Sequence, residues 1–465
     1  MADQQQRERI MAAVDAAFDE QTEFLAELVA APTQRGAEAS GQDIMARAFG
    51  ELGLEVERWT LDAEELAAHA GTGAVTVDYS ATEVVLGSTQ AGASGGARSL
   101  ILNGHIDVVP VGDRALWSRD PYDPAVVDGR MYGRGVGDMK AGLAANVYAL
   151  AALQRAGLRP SGRVELQSVP EEECTGNGSM SALLRGHTAD AVLIPEPTGE
   201  QVVGAHLGVI WFELNVRARA AHAATMSEGL NAVDASWVLI GKLRELEEKW
   251  NAAAAADADF GSETHPVNFN VGTFHAGDWP SSVPDACTVG IRVSYMPDVT
   301  AEEAFAELQS CVADAVAELD GVQAELAPIG FFAQGYRLPQ GTDAEAVLAD
   351  AHRFVGAAAG SDAEAAAGSD AEAAAGSDAA ASAGAGAEAV TSWTSGRTDE
   401  LTRKVMAGYI DSRVFGNFAE IPALVYGPMI ERPHGADECV DLASLRRVTK
   451  AIALFIADWC GIEEA

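Results

Sequence analysis

The stretch Ser99-Leu100-Ile101-Leu102-Asn103-Gly104-His105-Ile106-Asp107-Val108-Val109-Pro110 is short, largely apolar and closed by a proline. Such a run, with a turn-forming glycine before it, predicts a buried β-strand. Further apolar runs at 164–169 and 191–194 predict strands, and the periodicity of 139–156 predicts a helix that precedes them. Strand, helix and strand in this order indicate an α/β domain with a largely parallel sheet. Helices at 5–31, 41–52 and 442–459 and a strand at 424–426 complete this prediction.

A different block begins at residue 209. It contains a predicted strand (209–217), a helix (232–250), two strands (269–274 and 288–294) and a second helix (301–319). This order predicts a small two-layer α+β domain inserted into the larger one. The chain of 465 residues is also longer than one hydrophobic core usually supports. We therefore predict a first part of the large domain at 1–208, the insert at 209–325 and the second part at 326–465.

Residues 356–389 form a segment of low complexity. The octad Gly-Ser-Asp-Ala-Glu-Ala-Ala-Ala begins at Gly360 and again at Gly368, and a decayed copy begins at Gly376. Because the repeat has no large apolar side chain to bury, we predict a flexible surface insert without chemistry of its own. A short alanine-rich helix within it remains an alternative.

The composition excludes several classes of protein. The formal net charge is −38, from 69 acidic and 31 basic residues, whereas nucleic acids and anionic membranes require a basic surface. The longest apolar runs are too short to span a bilayer, and the first residues lack the pattern of a signal peptide. We therefore expect a cytoplasmic protein that binds neither nucleic acid nor membranes.

The five cysteines are scattered and include no Cys-x-x-Cys pair. This arrangement fits neither a disulfide framework nor a thiolate zinc site. Any zinc in this protein would have to be held by histidine and carboxylate side chains.

Five segments place such side chains at or near the ends of predicted strands, where open α/β sheets form their sites. Taken singly, each has an ordinary alternative, such as a helix N-cap for the aspartate or a solvated loop for the glutamates. Together they offer two histidines and three or more carboxylates, a set that suits zinc, cobalt or manganese, with zinc the commonest. The five segments contain His105 with Asp107, Asp138 in a glycine-rich turn, Glu171-Glu172-Glu173, Glu196 between two prolines, and His434.

Two of these segments suggest more specific contacts. On a strand, His105 and Asp107 share a face, so Asp107 is expected to accept the second ring N–H of His105, directly or through a neighbour. The three adjacent glutamates would repel one another unless a cation neutralised them.

The ordered set of motifs resembles the acetylornithine deacetylase and succinyl-diaminopimelate desuccinylase group, which also contains aminoacylase and a zinc carboxypeptidase that removes glutamate. The resemblance covers nearly the whole chain outside the octad repeat. It implies a two-zinc, aminopeptidase-like α/β catalytic domain interrupted by a smaller dimerisation domain, and therefore a homodimer.

The resemblance also implies the ligand set. His105 and Glu196 would hold one zinc ion, Glu173 and His434 the other, and Asp138 would bridge the two. Cobalt or manganese could replace zinc.

The general base is also implied by the resemblance. In the family a base precedes the ligand directly, and one residue and a small pair follow, which Cys174 and Thr175-Gly176 match. Glu172 would then be the base that acts on metal-activated water, and Asp107 would support His105. A slip by one residue, with Glu171 as base and Glu172 as ligand, remains open.

Further roles concern the substrate. The resemblance implies that His222 stabilises the oxyanion in the active site of the other subunit. A family arginine that clamps the substrate carboxylate is replaced by Ser294, and Arg292, two residues earlier on the same strand face, is the candidate substitute. Gly427 is a second candidate substrate contact.

We therefore predict a zinc-dependent deacylase that cleaves the amide bond of a small N-acyl amino acid or N-acyl amine. A metallo-carboxypeptidase or dipeptidase with the same metals is the enzymatic alternative. A catalytically dead binding protein is the alternative from another class, but it predicts a missing ligand or base, and none is missing.

Overall fold

The computed structural model of the protein describes residues 1–90, 96–370 and 400–465. The helices are α1 Gln4–Ala30, α2 Ala39–Glu51, α3 Ala63–Ala67, α4 Ala141–Arg155, α5 Asn177–Leu184, α6 Ala232–Ala254, α7 Ala301–Ala317, α8 Asp343–Asp370, α9 Ser412–Ala419 and α10 Leu442–Cys460. None of the described helices combines the length and the apolar character needed to cross a membrane.

The strands are numbered along the chain in the same way. They are β1 Glu55–Thr60, β2 Glu83–Ser88, β3 Leu100–His105, β4 Ala125–Val127, β5 Arg130–Tyr132, β6 Leu158–Pro160, β7 Val164–Val169, β8 Val192–Ile194, β9 Val202–His206, β10 Gly208–Arg217, β11 Ala221–His222, β12 Phe269–Ala276, β13 Ser282–Val283, β14 Ala286–Tyr295, β15 Gln323–Ala333, β16 Tyr336–Arg337, β17 Arg403–Met406, β18 Ala423–Val425, β19 Ile430–Glu431, β20 Cys439–Asp441 and β21 Ile462–Glu464.

The main sheet has six strands in the order β1-β2-β7-β3-β8-β18. Strands β7, β3, β8 and β18 run parallel, whereas β1 and β2 join one edge antiparallel. Every residue of β3 and β7 is buried, as expected for central strands that are covered on both faces. Helices α1, α4 and α10 pack against one another beside this sheet. The predicted α/β class is therefore confirmed.

A second sheet is antiparallel, with the order β12-β14-β10-β15, and helices α6 and α7 pack on it. In β10 buried and half-buried residues alternate, so that Phe212, Leu214 and Val216 enter a core separate from that of the main sheet. The two-layer α+β insert predicted from the sequence is thus present as a sheet with two helices.

The predicted end of this insert at residue 325 is wrong. Strand β15 pairs with β10 from Gln323 to Ala333, so the second sheet continues to Ala333. The alternation of this strand was hidden in the sequence because Pro328 and Gly330 interrupt it at an irregularity in the pairing.

The first part of the predicted insert at 356–389 follows the alternative, an alanine-rich helix, and not the flexible segment. Helix α8 continues to Asp370, so the first half of the repeat is helical, which suits its high alanine content. The second half of the predicted insert, 371–389, lies outside the described residues.

Candidate metal centre

The functional side chains meet at one edge of the main sheet. Parallel neighbours end on the same side, so the carboxyl ends of β3, β7 and β8 lie together. His105 is the last residue of β3, Glu172 and Glu173 follow β7, and Glu196 follows β8. Residues from distant parts of the chain are thereby brought within a few ångströms of one another.

Asp138 lies between the two predicted histidine ligands. Its Oδ1 atom is 3.2 Å from His105 Nε2, and its Oδ2 atom is 3.4 Å from His434 Nε2. Each carboxylate oxygen therefore faces a different imidazole ring.

The remaining carboxylates divide between the same two rings. His105 Nε2 is 3.6 Å from Glu196 Oε1 and 3.9 Å from Glu172 Oε2. His434 Nε2 is 3.2 Å from Glu173 Oε1. Two sets of potential ligand atoms each lie within 4.8 Å of one another, namely His105 with Asp138 and Glu173, and His105 with Glu172 and Glu196.

The electrostatics of this cluster are those of a site with too much negative charge. Burial raises the pKa of both Glu172 and Glu196 well above the ordinary value, although His105 opposes the shift. Burial lowers the pKa of His105, but Glu196 and other acidic neighbours outweigh it, and the pKa is raised. Oε1 of Glu196 is buried and has no hydrogen-bond partner among the residues that the structure describes. An unpaired buried carboxylate oxygen is costly, and a cation would satisfy it.

Charge and donor type therefore fit metal ions. With all four of its carboxylates ionised, the site would carry four negative charges, which two divalent cations would balance. Imidazole and carboxylate donors without a thiolate suit zinc, cobalt or manganese. The four carboxylates are Asp138, Glu172, Glu173 and Glu196.

A residue that the sequence analysis missed holds this arrangement together. The buried carboxylate of Glu438 accepts hydrogen bonds from the backbone amides of Gly135 (3.1 Å), Gly137 (2.9 Å) and Asp138 (3.2 Å). It also accepts one from Arg134 Nη1 at 2.6 Å, and Arg134 Nη2 donates to the carbonyl of His434 at 3.1 Å. The only signal in the sequence was a glutamate shortly after the His434 motif.

The predicted contact between the carboxylate of Asp107 and the ring of His105 is wrong in its atoms. The ring Nδ1 donates to the backbone carbonyl of Asp107 at 2.9 Å, whereas its distance to the carboxylate is 3.6 Å. The carboxylate accepts the amides of Glu172 (3.3 Å) and Glu173 (3.1 Å) instead. The reason is that β3 ends at His105, so the alternation expected of a strand does not continue.

Glu171 points away from the cluster. Its carboxylate is buried and pairs with Arg35, Nε at 2.5 Å and Nη2 at 2.8 Å, and it also accepts from the hydroxyls of Tyr79 (2.7 Å) and Thr175 (2.9 Å). The backbone of Glu171 has a φ of 70°, a turn that separates its side chain from the next two. The alternative register, with Glu171 as base, does not match this placement.

A cavity of about 500 Å³ opens over the cluster. Arg292 lies in its wall, where Nη2 donates to the carbonyl of Ala407 at 2.9 Å and burial lowers the guanidinium pKa. Ser294 is buried and accepts from the amide of Asn268 at 2.8 Å, outside the cavity lining. The other lining residues include Asp138, Glu172, Glu173, Glu196, Trp211, Phe331, Tyr409 and His434.

Two predicted site residues are not brought to this cavity within the chain. The exposed His222 lies on the short strand β11, where its Nδ1 accepts the amide of Ala224 at 3.0 Å. Gly427 lies beneath the Pro195–Glu196 backbone, and a Cβ there would collide with the carbonyl oxygen of Glu196. The role of Gly427 is therefore close backbone packing below a candidate ligand, and its prediction as a substrate contact is not supported by this placement.

The chain is similar to several known proteins. The sequence model of peptidase family M20/M25/M40 matches residues 101–458. An N-formyl-4-amino-5-aminomethyl-2-methylpyrimidine deformylase of Halalkalibacterium halodurans is 27% identical over 391 residues, which cover 79% of this chain and 81% of that relative. A probable succinyl-diaminopimelate desuccinylase of Staphylococcus epidermidis is 32% identical over 157 residues, 33% of this chain and 38% of that protein.

Solved structures show the same fold. The structure of the dipeptidase Dug1p of Saccharomyces cerevisiae matches with a TM-score of 0.74 at 12% identity, over 98% of each chain. At this identity the similarity concerns the fold.

Proposed function

Because the chain belongs to peptidase family M20/M25/M40, we propose that it is a hydrolase with two divalent metal ions that cleaves the amide bond of an N-acyl amino acid or N-acyl amine. The observation that carries this proposal is the placement of Asp138, whose two carboxylate oxygens face His105 at 3.2 Å and His434 at 3.4 Å. A carboxylate that presents one oxygen to each of two imidazoles is suited to join two cations.

The proposed ligands divide into two groups. His105 and Glu196 would hold one ion, Glu173 and His434 would hold the other, and Asp138 would serve both. Zinc is the first choice, and cobalt or manganese would also suit these donors. When bound, such ions polarise the amide carbonyl and lower the pKa of water toward neutrality.

Glu172 is the proposed general base. Its Oε2 is 3.9 Å from His105 Nε2, so it lies beside the ligand cluster and faces the cavity. It accepts a proton from water as the carbon–oxygen bond forms, and it delivers that proton to the nitrogen as the carbon–nitrogen bond breaks. The products are a carboxylic acid and an amine. Asp107 acts as a positioning residue, since it binds the amides of Glu172 and Glu173 and the ring of His105.

A homodimer is part of this proposal. Strand β12 is an edge of the second sheet, and beside it Trp237 stacks on Phe274 with ring centroids 5.4 Å apart. Trp237 is 58% exposed and Val238 is 45% exposed, an apolar surface that a second copy of the chain would cover. In such a dimer His222, which is exposed and does not line the cavity of its own chain, would stabilise the oxyanion in the partner's active site.

The decisive experiment combines metal analysis with a substrate panel. The panel contains N-formyl amines, N-acetyl and N-succinyl amino acids, and dipeptides. The formyl amines and succinyl amides are included because the two relatives are a deformylase and a probable desuccinylase. We expect two metal equivalents per chain and hydrolysis of at least one acyl amide. A protein that binds no metal at micromolar concentrations and cleaves none of the panel would contradict the proposal.

A dipeptidase or carboxypeptidase is the second candidate, and Arg292 favours it. Among the described residues, no carboxylate lies within ion-pairing distance of this cavity-wall guanidinium, so a substrate carboxylate could occupy it. Faster cleavage of dipeptides than of acyl amines, and loss of that preference in Arg292→Met, would support this candidate. The cytoplasmic location and the absence of nucleic-acid and membrane partners stay predictions.

A further inference from the structure

One wall of the cavity over the candidate metal ligands is built around Trp211. At this residue the pairing of β10 with β15 is irregular, because Ile210 pairs with Phe332 while Phe212 already pairs with Pro328. The three residues of β15 between those partners form a bulge opposite Trp211. Bulges of this kind redirect side chains next to active sites.

Gly330 in this bulge makes room for the indole ring. A Cβ on Gly330 would lie 2.8 Å from Trp211 Cε3, closer than such atoms pack. The carbonyl of Gly330 accepts the amide of Ala74 at 2.7 Å, which fixes the bulge from outside. The indole Nε1 is buried, and within the described part of the chain it has no hydrogen-bond partner. The ring is therefore held by packing alone.

Two further aromatic rings continue the wall. Phe331 packs edge-on against Trp211 with ring centroids 5.0 Å apart. Tyr409 also packs against Phe331, with ring centroids 4.4 Å apart. All three residues line the cavity that also contains Glu172. Trp211, Phe331 and Tyr409 together form an aromatic wall of the cavity.

Tyr409 fixes the position of this wall relative to the proposed base. Its hydroxyl donates to Asp411 Oδ1 at 2.7 Å, and the guanidinium carbon of Arg413 lies 5.2 Å from its ring centroid. A Cβ on Gly176 would collide with this hydroxyl. The tyrosine side chain therefore packs against the loop that carries Glu172 and Glu173, since Gly176 lies three residues after Glu173. Burial first, and the negative charges of Asp411 and Glu172 after it, raise the pKa of Tyr409.

The aromatic wall therefore stands on the side of the cavity where Glu172 is placed. Under the proposed function, Glu172 delivers the proton to the leaving nitrogen, so the group attached to that nitrogen lies on the same side. Offset or edge-to-face contact with aromatic side chains gives a flat conjugated ring more binding free energy than its buried area alone would. A saturated ring of the same size lacks this additional term.

We propose that the substrate carries an aromatic or heteroaromatic ring on the amine side of the scissile amide, and that Trp211, Phe331 and Tyr409 select it. This inference rests on the proposed amidohydrolase function and narrows its substrate class. Trp211 and Gly330 are specificity-determining residues in it.

The test uses matched pairs of amides that differ only in the ring. N-formylbenzylamine is compared with N-formylcyclohexylmethylamine, and the corresponding acetamides form a second pair. The metal-loaded enzyme is expected to have a kcat/KM about tenfold higher for the aromatic member of each pair. In Trp211→Leu this ratio is expected to fall to about one, whereas Trp250→Leu, a tryptophan of α6 outside the cavity lining, should keep the wild-type ratio.

Gly330→Ala provides a second variant that keeps every aromatic side chain, in case Trp211→Leu does not fold. The added methyl group displaces the indole, so the ratio is expected to fall at least threefold, while Gly50→Ala, whose Cβ would meet nothing within 4 Å, keeps it. Calorimetric binding of benzylamine and cyclohexylmethylamine, with and without metal, gives a readout independent of turnover.

The outcomes separate the two proposals. If the amides are hydrolysed but the ring makes no difference to kcat/KM or to amine binding, the substrate class proposed here is wrong and the amidohydrolase function stands. If members of the substrate panel are hydrolysed but none of the ring amides is, the substrate class proposed here is wrong and the amidohydrolase function stands. If neither the ring amides nor any member of the panel is hydrolysed, the proposed function fails, and preferential binding of benzylamine would still support a ring-binding role for the aromatic wall. A wild-type ring preference that survives in both Trp211→Leu and Gly330→Ala would overturn the assignment of these residues.

Discussion

Glu438 accepts a hydrogen bond from the backbone amide of Asp138 at 3.2 Å, so a buried carboxylate from far along the chain fixes the backbone of the central candidate ligand. The same carboxylate forms an ion pair with Arg134 at 2.6 Å, and both side chains are only 1% exposed. Removing one member of such a pair leaves a buried charge without compensation.

Glu438→Gln is therefore expected to affect both stability and metal binding. The free energy of unfolding should fall by about 3 kcal/mol, since Arg134 loses its counter-charge. Metal affinity should fall by about ten- to a hundredfold, since a supporting residue of a ligand is disturbed. Denaturant unfolding and competition with a chelator measure the two effects. Glu431→Gln, which breaks a more exposed ion pair with Arg130, is the control and should change stability and metal affinity little. Equal effects in the two variants would contradict the supporting role of Glu438.

Glu172→Gln separates the base from the ligands. Turnover should drop by at least about a hundredfold, because the amide side chain cannot take a proton, while two equivalents of metal remain bound. Glu173→Gln should instead lose one equivalent. Metal content by elemental analysis and kcat on an active amide distinguish the variants. Near-normal turnover in Glu172→Gln would show that another group is the base.

His222 offers a test of the proposed exchange between subunits. His222→Ala and Glu172→Gln should each be nearly inactive alone. When the two are unfolded and refolded together, half of the dimers should be mixed, and each mixed dimer should contain one complete site. About a quarter of the wild-type activity should therefore return. Sedimentation analysis must show that both variants remain dimeric, and a lack of recovery in verified mixed dimers would exclude the exchange.

Metal removal should destabilise the protein. Without cations the cluster of four carboxylates is left with like charges in contact, and a ligand present at a hundred times its Kd contributes about 2.7 kcal/mol. Treatment with a chelator should therefore lower the Tm by several degrees, and added zinc should restore it. His434→Ala, which removes one candidate ligand, should show a smaller shift. A Tm that does not respond to the chelator would argue against resident metal.

The stability of the fold is also expected to depend on pH through His206, which is not one of the candidate metal ligands. The ring is 1% exposed, Nδ1 bonds to the carbonyl of Leu207 at 3.1 Å, and Nε2 bonds to Ser412 Oγ at 3.1 Å. Burial lowers its pKa from 6.5 to about 4; the hydrogen bond to Leu207 opposes this shift, and the charge of Arg413 adds to it.

Because the folded-state pKa is below the unfolded value, the unfolded chain takes up a proton first as the pH falls. The contribution of His206 is therefore intact above pH 6.5 and is lost progressively between pH 6.5 and 4. Between pH 7 and pH 5, His206 should account for about 2 kcal/mol of lost stability. The free energy of unfolding in urea should lack this part of its pH dependence in His206→Gln. His265→Gln, which changes an exposed histidine, is the control and should retain it. Identical pH profiles for wild type and His206→Gln would contradict the prediction.

The sequence predicted the candidate site best where its side chains directly follow the ends of strands. The apolar runs before His105, Glu173 and Glu196 predicted central strands, and parallel strands end at one edge whatever the details of packing. The roles of Glu172 as base and Glu173 as ligand were implied by the family resemblance, through the match of Cys174 and Thr175-Gly176 to the residues that follow the ligand. These are local patterns, and the structure brings the predicted side chains into one cluster.

Other features depend on contacts between segments that no local pattern encodes. The carboxylate of Asp107 turns to the amides of Glu172 and Glu173, and Glu171 turns to Arg35, because those partners become neighbours only in the folded chain. Strand β15 was not predicted because Pro328 and Gly330 interrupt its alternation. The irregular pairing opposite Trp211 that accommodates them forms only in the folded chain.

The amino-acid sequence by itself determined the α/β class, the insert and the set of metal-type side chains, since hydrophobic periodicity and residue type act over short distances along the chain. The tertiary structure alone decided which carboxylate oxygens face which imidazole, which buried charge supports Asp138, and which rings stand beside Glu172. These relationships join residues up to three hundred positions apart, and they are fixed by close packing and by the need to satisfy every buried polar group.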